Sequence, residues 1–343
     1  MRARMLSEMT TLGLGGLAQV AAPDSETEVL AVLRDNAKRG ERVRILGGGS
    51  NVIAQDGPCP GVVLQLQHAL NQQSIERDGH DVHVTLGAGV CWDDWVAAAV
   101  DLGLSGHECL AGIPGLVGAT PIQNVGAYGA EVSATVVRVR CYDRLHDLEV
   151  TLDNRACEFD YRSSVFKRNP ERFVVLDVTF TLRADLQSVP LRFGELCTRL
   201  GVAGEASAPL HLVREAVLAL RAGKGMRLVA GDPDSHSAGS FFTNPLVSVA
   251  AAAGLRLQHP HAAIPQFAAA NGTVKLAAAW LLEHAGFPKG TRRGRVGTSS
   301  KHALALVNLG GATTAELLAY AGEIEVAVLA KYGVQLEREP VVF

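Results

Sequence analysis

The sequence has little of what marks disulfide-rich, metal-binding or membrane proteins. Its 343 residues include six cysteines and 5% aromatic residues, and no two cysteines form a CxxC pair. Scattered cysteines in a chain of this length predict reduced thiols rather than a disulfide framework, and they provide no clustered ligand set, so we expect no metal site. No apolar run reaches the roughly 18 residues that a membrane-spanning helix needs.

Neither sign of charge is in excess. The 32 basic and 35 acidic side chains leave a formal charge of −3 at pH 7, which does not support electrostatic binding of nucleic acid. With 48% hydrophobic and 20% charged residues, the composition is that of a folded globular protein. At about 100–200 residues per domain, the length predicts two or three domains.

The N-terminal segment shares two features with a secretory signal. Arg2 and Arg4 precede an apolar stretch that ends in small residues. However, Glu8 lies between the charges and the apolar stretch, and several glycines interrupt that stretch. We therefore expect a cytoplasmic protein without a membrane partner.

Apolar periodicity and cap residues divide the chain into a β-rich first part and a more helical second part. This mixture predicts an α+β fold. We predict helices over 24–39, 92–102, 209–222, 274–285 and 313–332. We predict strands over 43–46, 61–66, 82–86, 135–142, 147–152, 173–182, 303–309 and 334–343.

Glycine is the abundant residue, at 36 of 343, and a first cluster of it directly follows a predicted strand. Backbone N–H groups in such a loop can converge on a phosphate without crowding from Cβ atoms. The alternative is a tight turn that joins two strands. Neither a Rossmann fingerprint nor a Walker loop is present. The predicted cofactor contacts are Ile45, Leu46, Gly47, Gly48, Gly49, Ser50 and Asn51.

A second glycine-rich segment covers residues 109–129, where five glycines and two prolines interleave with apolar residues. Such a segment is too irregular for a helix or strand and too apolar for a solvent loop, which favours a backbone wrapped around a flavin and its pyrophosphate. The alternative is a buried connection. The predicted contacts, some of them orienting hydrogen bonds, are Gly112, Ile113, Pro114, Gly115, Gly118, Ala119, Gln123, Asn124, Gly126, Ala127, Tyr128 and Gly129.

Several motifs together resemble those of the UDP-N-acetylenolpyruvoylglucosamine reductase family. The motifs follow one another in the family's order over nearly the whole chain. They are ILGGGSNVI at 45–53, LAGIPGLVGATPIQNVGAYGAEV at 110–132, YRSSVFK at 161–167, GSFFTNP at 239–245, KLAAAWLLEHAGFPKG at 275–290 and GTSSKHALALVN at 297–308.

This resemblance implies a two-lobed FAD-binding domain of the vanillyl-alcohol-oxidase (PCMH) type and a C-terminal α+β substrate-binding domain. The implied boundaries are 10–71 and 72–222 for the two lobes, 223–333 for the substrate domain, and 334–343 for a terminal strand. The implied cofactor is non-covalent FAD, with NADPH as co-substrate. The implied reaction reduces the enolpyruvyl ether of UDP-N-acetylglucosamine enolpyruvate, a small molecule, to UDP-N-acetylmuramate, and we expect a monomer.

The resemblance also implies three catalytic residues. Arg162 matches the family's enolate-stabilising arginine, a role that suits a permanently charged guanidinium. Ser240 matches the proton-donating serine. Glu339 falls in the register of the catalytic glutamate, which assists by hydrogen bonding in protonated form or by helping proton delivery. Glu337 is the alternative, because strand alternation places both glutamates on one face.

Four further residues are expected to bind substrate, namely Tyr161, Lys224, Asn244 and His302. Three positions depart from the family pattern. Thr243 stands where many relatives have lysine, Phe193 stands where the longer members have a tyrosine that closes over the substrate, and Pro340 follows the predicted catalytic glutamate.

Two other functions fit parts of this pattern. Another FAD-dependent oxidase or dehydrogenase of the same flavin fold would share the glycine loops without needing Arg162, Ser240 and Glu339 together. A nucleotide-sugar-binding protein without catalysis would be favoured by the loss of one catalytic position, and all three positions are present.

Overall fold

The computed structural model describes residues 1–229, 231–269 and 272–343, which form two compact units. The first unit comprises Met1–Arg4, Leu17–Gly49 and Cys59–Gly223. The second comprises Met5–Gly16, Ser50–Pro58 and Lys224–Phe343. The first glycine loop is therefore divided between the units after Gly49.

The described residues include eight α-helices and 21 strands. The helices are α1 Glu26–Lys38, α2 Trp92–Asp101, α3 Val165–Arg168, α4 Gly194–Leu200, α5 Leu210–Gly223, α6 Val249–Gln258, α7 Ala278–His284 and α8 Thr314–Tyr332. The strands are β1 Arg2–Met5, β2 Leu17–Ala21, β3 Val43–Leu46, β4 Val52–Ile53, β5 Val62–Gln65, β6 Gln73–Asp78, β7 Asp81–Gly87, β8 Leu104–Ser105, β9 Gly126–Ala127, β10 Ala130–Glu131, β11 Val136–Asp143, β12 Leu148–Asp153, β13 Phe173–Ala184, β14 Ser237–Ser240, β15 Leu246–Ser248, β16 Gln266–Ala268, β17 Thr273–Leu276, β18 Arg292–Arg293, β19 Val296–Thr298, β20 Ala305–Asn308 and β21 Val341–Val342.

The first sheet of the first unit has the strand order β1-β2-β5-β3, in which β5 runs parallel to both β2 and β3. The helix α1 connects β2 to β3, as a crossover between parallel strands requires. Its N-terminus is capped by Ser25, whose hydroxyl accepts from the backbone N–H of Glu28, and it buries Val29 and Leu33. The strand β3 leads directly into the first glycine loop.

The second sheet of the first unit is antiparallel, with the order β12-β11-β13-β7-β6. Its central strand β13 is buried continuously from Val174 to Phe180, as expected for a strand covered on both faces. Trp92 and Trp95 of α2 are fully buried in the core of this unit. The short strand β8 pairs with the end of β13.

A histidine is enclosed in this core. His107 is fully buried, and its Nδ1 atom accepts from Trp95 Nε1 at 3.0 Å. Its Nε2 atom lies 2.9 Å from Thr135 Oγ1, which donates to the carbonyl of Val132 at 3.0 Å. These bonds require the neutral tautomer with its proton on Nε2. Burial lowers the pKa of His107 to about 3.

We expect this histidine to make the protein sensitive to acid. Because the folded-state pKa is depressed, the unfolded chain binds a proton first, and stability is lost as the pH falls below the unfolded value. Between about pH 8 and pH 5, His107 alone should lower the free energy of unfolding by about 2 kcal/mol.

Chemical denaturation at both pH values checks this expectation. The variant His107→Gln should show a smaller loss between the two pH values, whereas His68→Gln, at an exposed position, should behave as the wild type. Equal losses in all three proteins would contradict the expectation.

The second unit contains the antiparallel sheet β14-β20-β19-β18 and the three-stranded sheet β15-β17-β16. The helix α8 begins with a capping box formed by Thr313 and Glu316 and ends at Gly333, whose φ is 65°. The C-terminal strand β21 runs parallel to β4. The β-strand content of both units and their helices confirm the predicted α+β class.

Two element predictions were wrong in their bounds. Residues 273–276 form β17 rather than the start of a helix, because this strand pairs with both β15 and β16, and α7 begins only at Ala278. Of the strand predicted over 334–343, only β21 is a regular strand, and Arg338 forms an isolated bridge with Phe242. Pro340, which has no backbone donor, lies between the two. Within the described residues, none of the helices combines the length and the apolar character needed to cross a membrane.

Candidate active site

The two glycine-rich loops approach each other within the first unit. A Cβ atom added to Gly48 would lie 2.8 Å from the Cα atom of Gly115, which is closer than real Cβ atoms come. The two backbones therefore pack with no side chain between them. The surface at this contact is formed by peptide groups. This arrangement fits the prediction that both loops bind one phosphate-containing cofactor.

The second loop is fastened to the core of the unit. Backbone N–H groups of Val117 and Gly118 donate to the carbonyls of Val90 and Ala88 at 2.9 and 3.0 Å. The N–H of Gly112 donates to Asp93 at 2.6 Å, and Arg221 Nε donates to the carbonyl of Gly112 at 3.0 Å. These bonds to buried groups explain why the loop is apolar although it is irregular.

Tyr128 lies in the same loop with a φ of 52°. Its ring packs edge-on against Phe193, with the ring centroids 5.2 Å apart. Burial raises the pKa of Tyr128 to about 12, so its hydroxyl keeps its proton and is a hydrogen-bond donor at neutral pH. Phe193, the departure from the family pattern, thus contacts a predicted cofactor-binding residue.

Arg162 lies in a two-residue turn between Asp160 and Ser163, whose backbones exchange two hydrogen bonds of 3.0 Å. Its φ is 51°, a left-handed conformation that is rare for arginine. The guanidinium donates to the carbonyls of Asn124 and Gly126 at 3.3 and 2.6 Å. Its Cζ atom lies 5.8 Å from the ring centroid of the neighbouring Tyr161. The predicted enolate-binding arginine is therefore anchored on the second glycine loop.

Asn124 was expected to orient a flavin with its side chain. The structure instead uses both of its side-chain N–H groups within the chain, on Glu131 Oε2 at 2.8 Å and on the carbonyl of Asp160 at 3.2 Å. Its Oδ1 atom accepts from the backbone N–H of Ser133 at 3.1 Å. A contact of Asn124 with a cofactor would therefore have to use its backbone or its Oδ1 atom.

Ser240 is the last residue of β14 in the second unit, and it is half-buried opposite Ala305 of β20. The next two residues, Phe241 and Phe242, are buried in the hydrophobic core of this unit with their ring centroids 5.2 Å apart. Their side chains therefore anchor the backbone beside Ser240.

The structure also distinguishes the two candidate glutamates. The backbone N–H of Glu339 donates to the carbonyl of Phe241 at 2.9 Å, which places Glu339 beside Ser240, and its side chain is half-buried. The carbonyl of Glu339 accepts from Asn51 Nδ2 at 3.4 Å. Glu337 is exposed and pairs through its carbonyl with Thr243. The second unit thus brings Ser240 and Glu339 together and favours Glu339 over Glu337.

His302 belongs to a turn formed by residues 299–302, and Lys224 immediately precedes a residue that packs on this turn. Ser299 Oγ accepts from the backbone N–H groups of Lys301 and His302 at 3.0 and 3.3 Å. A Cβ atom added to Gly225 would lie 3.2 Å from Lys301 Cδ, so the residue after Lys224 packs on this turn. The turn therefore brings the two predicted substrate-binding residues into one part of the second unit.

The carboxylate that fixes this turn was missed from the sequence. Asp234 accepts from the backbone N–H and the hydroxyl of Ser300 at 2.9 and 2.6 Å. Burial opposes its ionisation, but hydrogen bonds from Ser300 and Ser299 outweigh burial, and the pKa of Asp234 lies below its ordinary value. Lys301 forms an ion pair with Asp232. The sequence held one signal for this segment, the Asp-Pro pair at 232–233, which is typical of a helix start. Asp232 does cap a short 3₁₀ helix, Pro233–Ser235, which contains Asp234.

Asn244, also predicted to bind substrate, accepts from the backbone N–H of Ala278 through Oδ1 at 2.9 Å. This bond satisfies one donor at the N-terminus of α7, because Ala277 has no side chain that could cap it. Its side-chain oxygen is therefore engaged with the helix.

Within the described residues, no group of three His, Cys, Asp or Glu side chains is arranged to hold a metal ion.

Known proteins resemble this chain along its whole length. It is 47% identical to the UDP-N-acetylenolpyruvoylglucosamine reductase of Thermobifida fusca over 342 residues, which are 98% of this chain and 96% of the relative. It is 46% identical to that of Streptomyces coelicolor, with 98% and 88% covered. The crystal structure of the reductase from Thermus caldophilus matches with a TM-score of 0.66 at 23% identity, over 100% and 99% of the two chains, which shows the fold.

Two family models divide the sequence between them. Residues 17–149, which include both glycine loops, match the model of an FAD binding domain. Residues 232–343, which include Ser240 and Glu339, match the C-terminal domain of UDP-N-acetylenolpyruvoylglucosamine reductase. The fold and these matches define the class of protein, an FAD-dependent oxidoreductase. More narrowly, the chain belongs to the UDP-N-acetylenolpyruvoylglucosamine reductase family.

The first unit fits a bound FAD. The contact of Gly48 with Gly115 leaves backbone groups rather than side chains at the surface where a pyrophosphate would be held. The hydroxyl of Tyr128 and the anchored guanidinium of Arg162 add donors that suit the flavin ring and an anionic substrate.

Proposed function

We propose that this protein reduces the enolpyruvyl ether of UDP-N-acetylglucosamine enolpyruvate to UDP-N-acetylmuramate, with NADPH as the source of electrons. The observation that supports this most is the anchoring of Arg162. Its guanidinium is bonded to the carbonyls of Asn124 and Gly126, which belong to the loop predicted to hold the flavin. A permanent positive charge is thereby fixed on the loop that we assign to the flavin, and a charge held there would suit the stabilisation of an enolate.

The two glycine loops would hold FAD, which when bound would provide a hydride for the terminal methylene carbon of the enolpyruvyl group. The negative charge that remains on the α-carbon extends into the carboxylate. We assign the stabilisation of this charge to Arg162. A guanidinium has five N–H donors in a fixed plane, so it can bond loop carbonyls and a carboxylate at the same time.

The α-carbon then takes a proton, which we assign to the hydroxyl of Ser240. Serine is a weak acid, so it can donate this proton efficiently only if its hydroxyl is held close to the α-carbon. The buried Phe241 and Phe242 fix the backbone that follows Ser240. We assign one of two roles to Glu339: its protonated carboxyl donates a hydrogen bond to the enolate, or it helps to deliver the proton. The assignment rests on the hydrogen bond from its backbone N–H to the carbonyl of Phe241, which follows Ser240. The serine oxygen regains its proton from solvent.

The remaining contacts are assigned by charge and position. Lys224, as a cation, suits the diphosphate or carboxylate of the substrate. His302, Asn244 and Tyr161 supply polar or aromatic contacts to the same nucleotide sugar. We further propose that the protein works as a cytoplasmic monomer.

An anaerobic absorbance experiment tests the proposal. The purified protein, supplied with FAD, should show the visible flavin band, and NADPH should bleach it. Addition of UDP-N-acetylglucosamine enolpyruvate should restore the band with formation of UDP-N-acetylmuramate, whereas UDP-N-acetylglucosamine without the enolpyruvyl group should not.

The other outcomes distinguish the alternatives. A band that recovers only with a different oxidant would indicate another flavoenzyme of the same fold. Binding of the substrate without recovery would indicate a nucleotide-sugar-binding protein. Either result would refute the proposed activity.

A further inference from the structure

We propose that Asn124 is a positioning residue for Arg162, an inference that rests on the proposed function because Arg162 acts on the substrate there. Asn124 does this by joining the second glycine loop to the turn that contains Arg162. Its own side chain need not touch the reacting atoms.

The loop and the turn are joined by a continuous set of hydrogen bonds. The guanidinium of Arg162 donates to two loop carbonyls. In the opposite direction, the side chain of Asn124 donates to the carbonyl of Asp160, the first residue of the turn. Ser164, which is fully buried just after the turn, donates through Oγ to the carbonyl of Ile122 at 2.5 Å. The bonds run both ways, so the two segments fix each other.

The turn needs such support because its backbone is strained. Arg162 has a φ of 51°, where a side chain is tolerated only when the surrounding structure holds it. Lys167 Nζ donates to the carbonyl of Arg162 at 2.9 Å, and the backbone N–H of Tyr161 donates to Asp160 Oδ1 at 2.7 Å. These two bonds lie within the segment that contains the turn, whereas Asn124 supplies a side-chain bond from the loop to the turn.

The residue type at 124 suits this role. Its φ is 46°, and asparagine is one of the few residues besides glycine that adopts this region readily. It is 1% exposed, so its amide must be fully bonded inside the chain. Its Nδ2 group donates to Glu131 and to Asp160, and its Oδ1 atom accepts from the backbone N–H of Ser133. An aspartate of the same shape would lose both donors and place a second carboxylate beside Glu131.

The variant Asn124→Gly isolates the amide, since glycine keeps the left-handed backbone without strain. The rate of flavin reoxidation by UDP-N-acetylglucosamine enolpyruvate should fall about 10–100-fold, because displacing a catalytic group by about 1 Å has effects of this size. Flavin reduction by NADPH should slow by a clearly smaller factor than reoxidation, because the loss acts through Arg162, and both rates are compared at full FAD occupancy.

A double-mutant cycle with Arg162→Lys separates positioning from general support. If Asn124 acts through Arg162, then Asn124→Gly should cost less than about threefold once Arg162 is already lysine. The matched control is Asn154→Ala. Asn154 also donates two side-chain bonds, to the carbonyls of Ser133 and Val136 at 2.8 Å each, and its loss should leave the reoxidation rate unchanged.

Hydrogen exchange of residues 160–164 gives a readout that does not depend on activity. The amides in this turn should exchange faster in Asn124→Gly than in wild type or Asn154→Ala. An equal rate factor for Asn124→Gly in both backgrounds, an equal slowing of flavin reduction and reoxidation, or unchanged exchange in the turn would overturn the inference. If the wild type does not reduce the substrate at all, the proposed function fails, and the exchange experiment alone decides whether Asn124 holds the turn.

Discussion

Replacement of Ser240 by alanine is expected to slow reoxidation of the reduced enzyme by UDP-N-acetylglucosamine enolpyruvate by about 10²–10⁴-fold, the usual contribution of a general acid. The α-carbon would then have to take its proton from water that no residue positions. Ser240 lies at the end of β14 and follows Gly239, and the core residues after it are unchanged. FAD content and flavin reduction by NADPH should therefore remain those of wild type.

Anaerobic stopped-flow measurement of the two half-reactions checks this expectation. Ser248→Ala is the matched control, because Ser248 is an exposed serine of the same unit that caps α6 by accepting from Ala251 at 3.1 Å. Its loss should lower stability by about 0.5–2 kcal/mol without slowing reoxidation. If Ser240→Ala keeps at least about a third of the wild-type reoxidation rate, the proton comes from another group.

The glutamates at 337 and 339 are expected to differ sharply. Glu339→Ala should lower the reoxidation rate by about 10²–10³-fold, the usual cost of removing one donor that stabilises a developing negative charge. Glu337→Ala should change it less than about threefold, because Glu337 is exposed and only its carbonyl pairs with Thr243.

The variant Glu339→Gln distinguishes the two roles considered for Glu339. An amide can donate a hydrogen bond but cannot supply a proton, so glutamine should preserve much of the rate if Glu339 only bonds to the enolate. If Glu339 takes part in proton delivery, glutamine should be as slow as alanine. A larger effect at position 337 than at 339 would show that the wrong glutamate was assigned.

The sequence by itself determined the features that depend on neighbours along the chain. The start of α1 follows from Ser25 and the acidic residues after it, and the first glycine loop follows from three consecutive glycines behind an apolar strand. Such signals act over a few residues, so they can be read without knowing the fold. The order of the longer motifs determined the family in the same way, and the comparisons confirmed it.

Tertiary structure alone decided which distant residues meet. Nothing in the sequence says that the amide of Asn124 is used on Asp160 and Glu131. The family register already pointed to Glu339, but only the fold shows that its backbone donates to Phe241 and so lies beside Ser240. A polar side chain has the same bonding capacity wherever it stands, and its partner is chosen by which groups are buried beside it after folding. The sequence specifies which chemical groups each residue carries. Burial and hydrogen bonding between distant segments decide which partner each group binds.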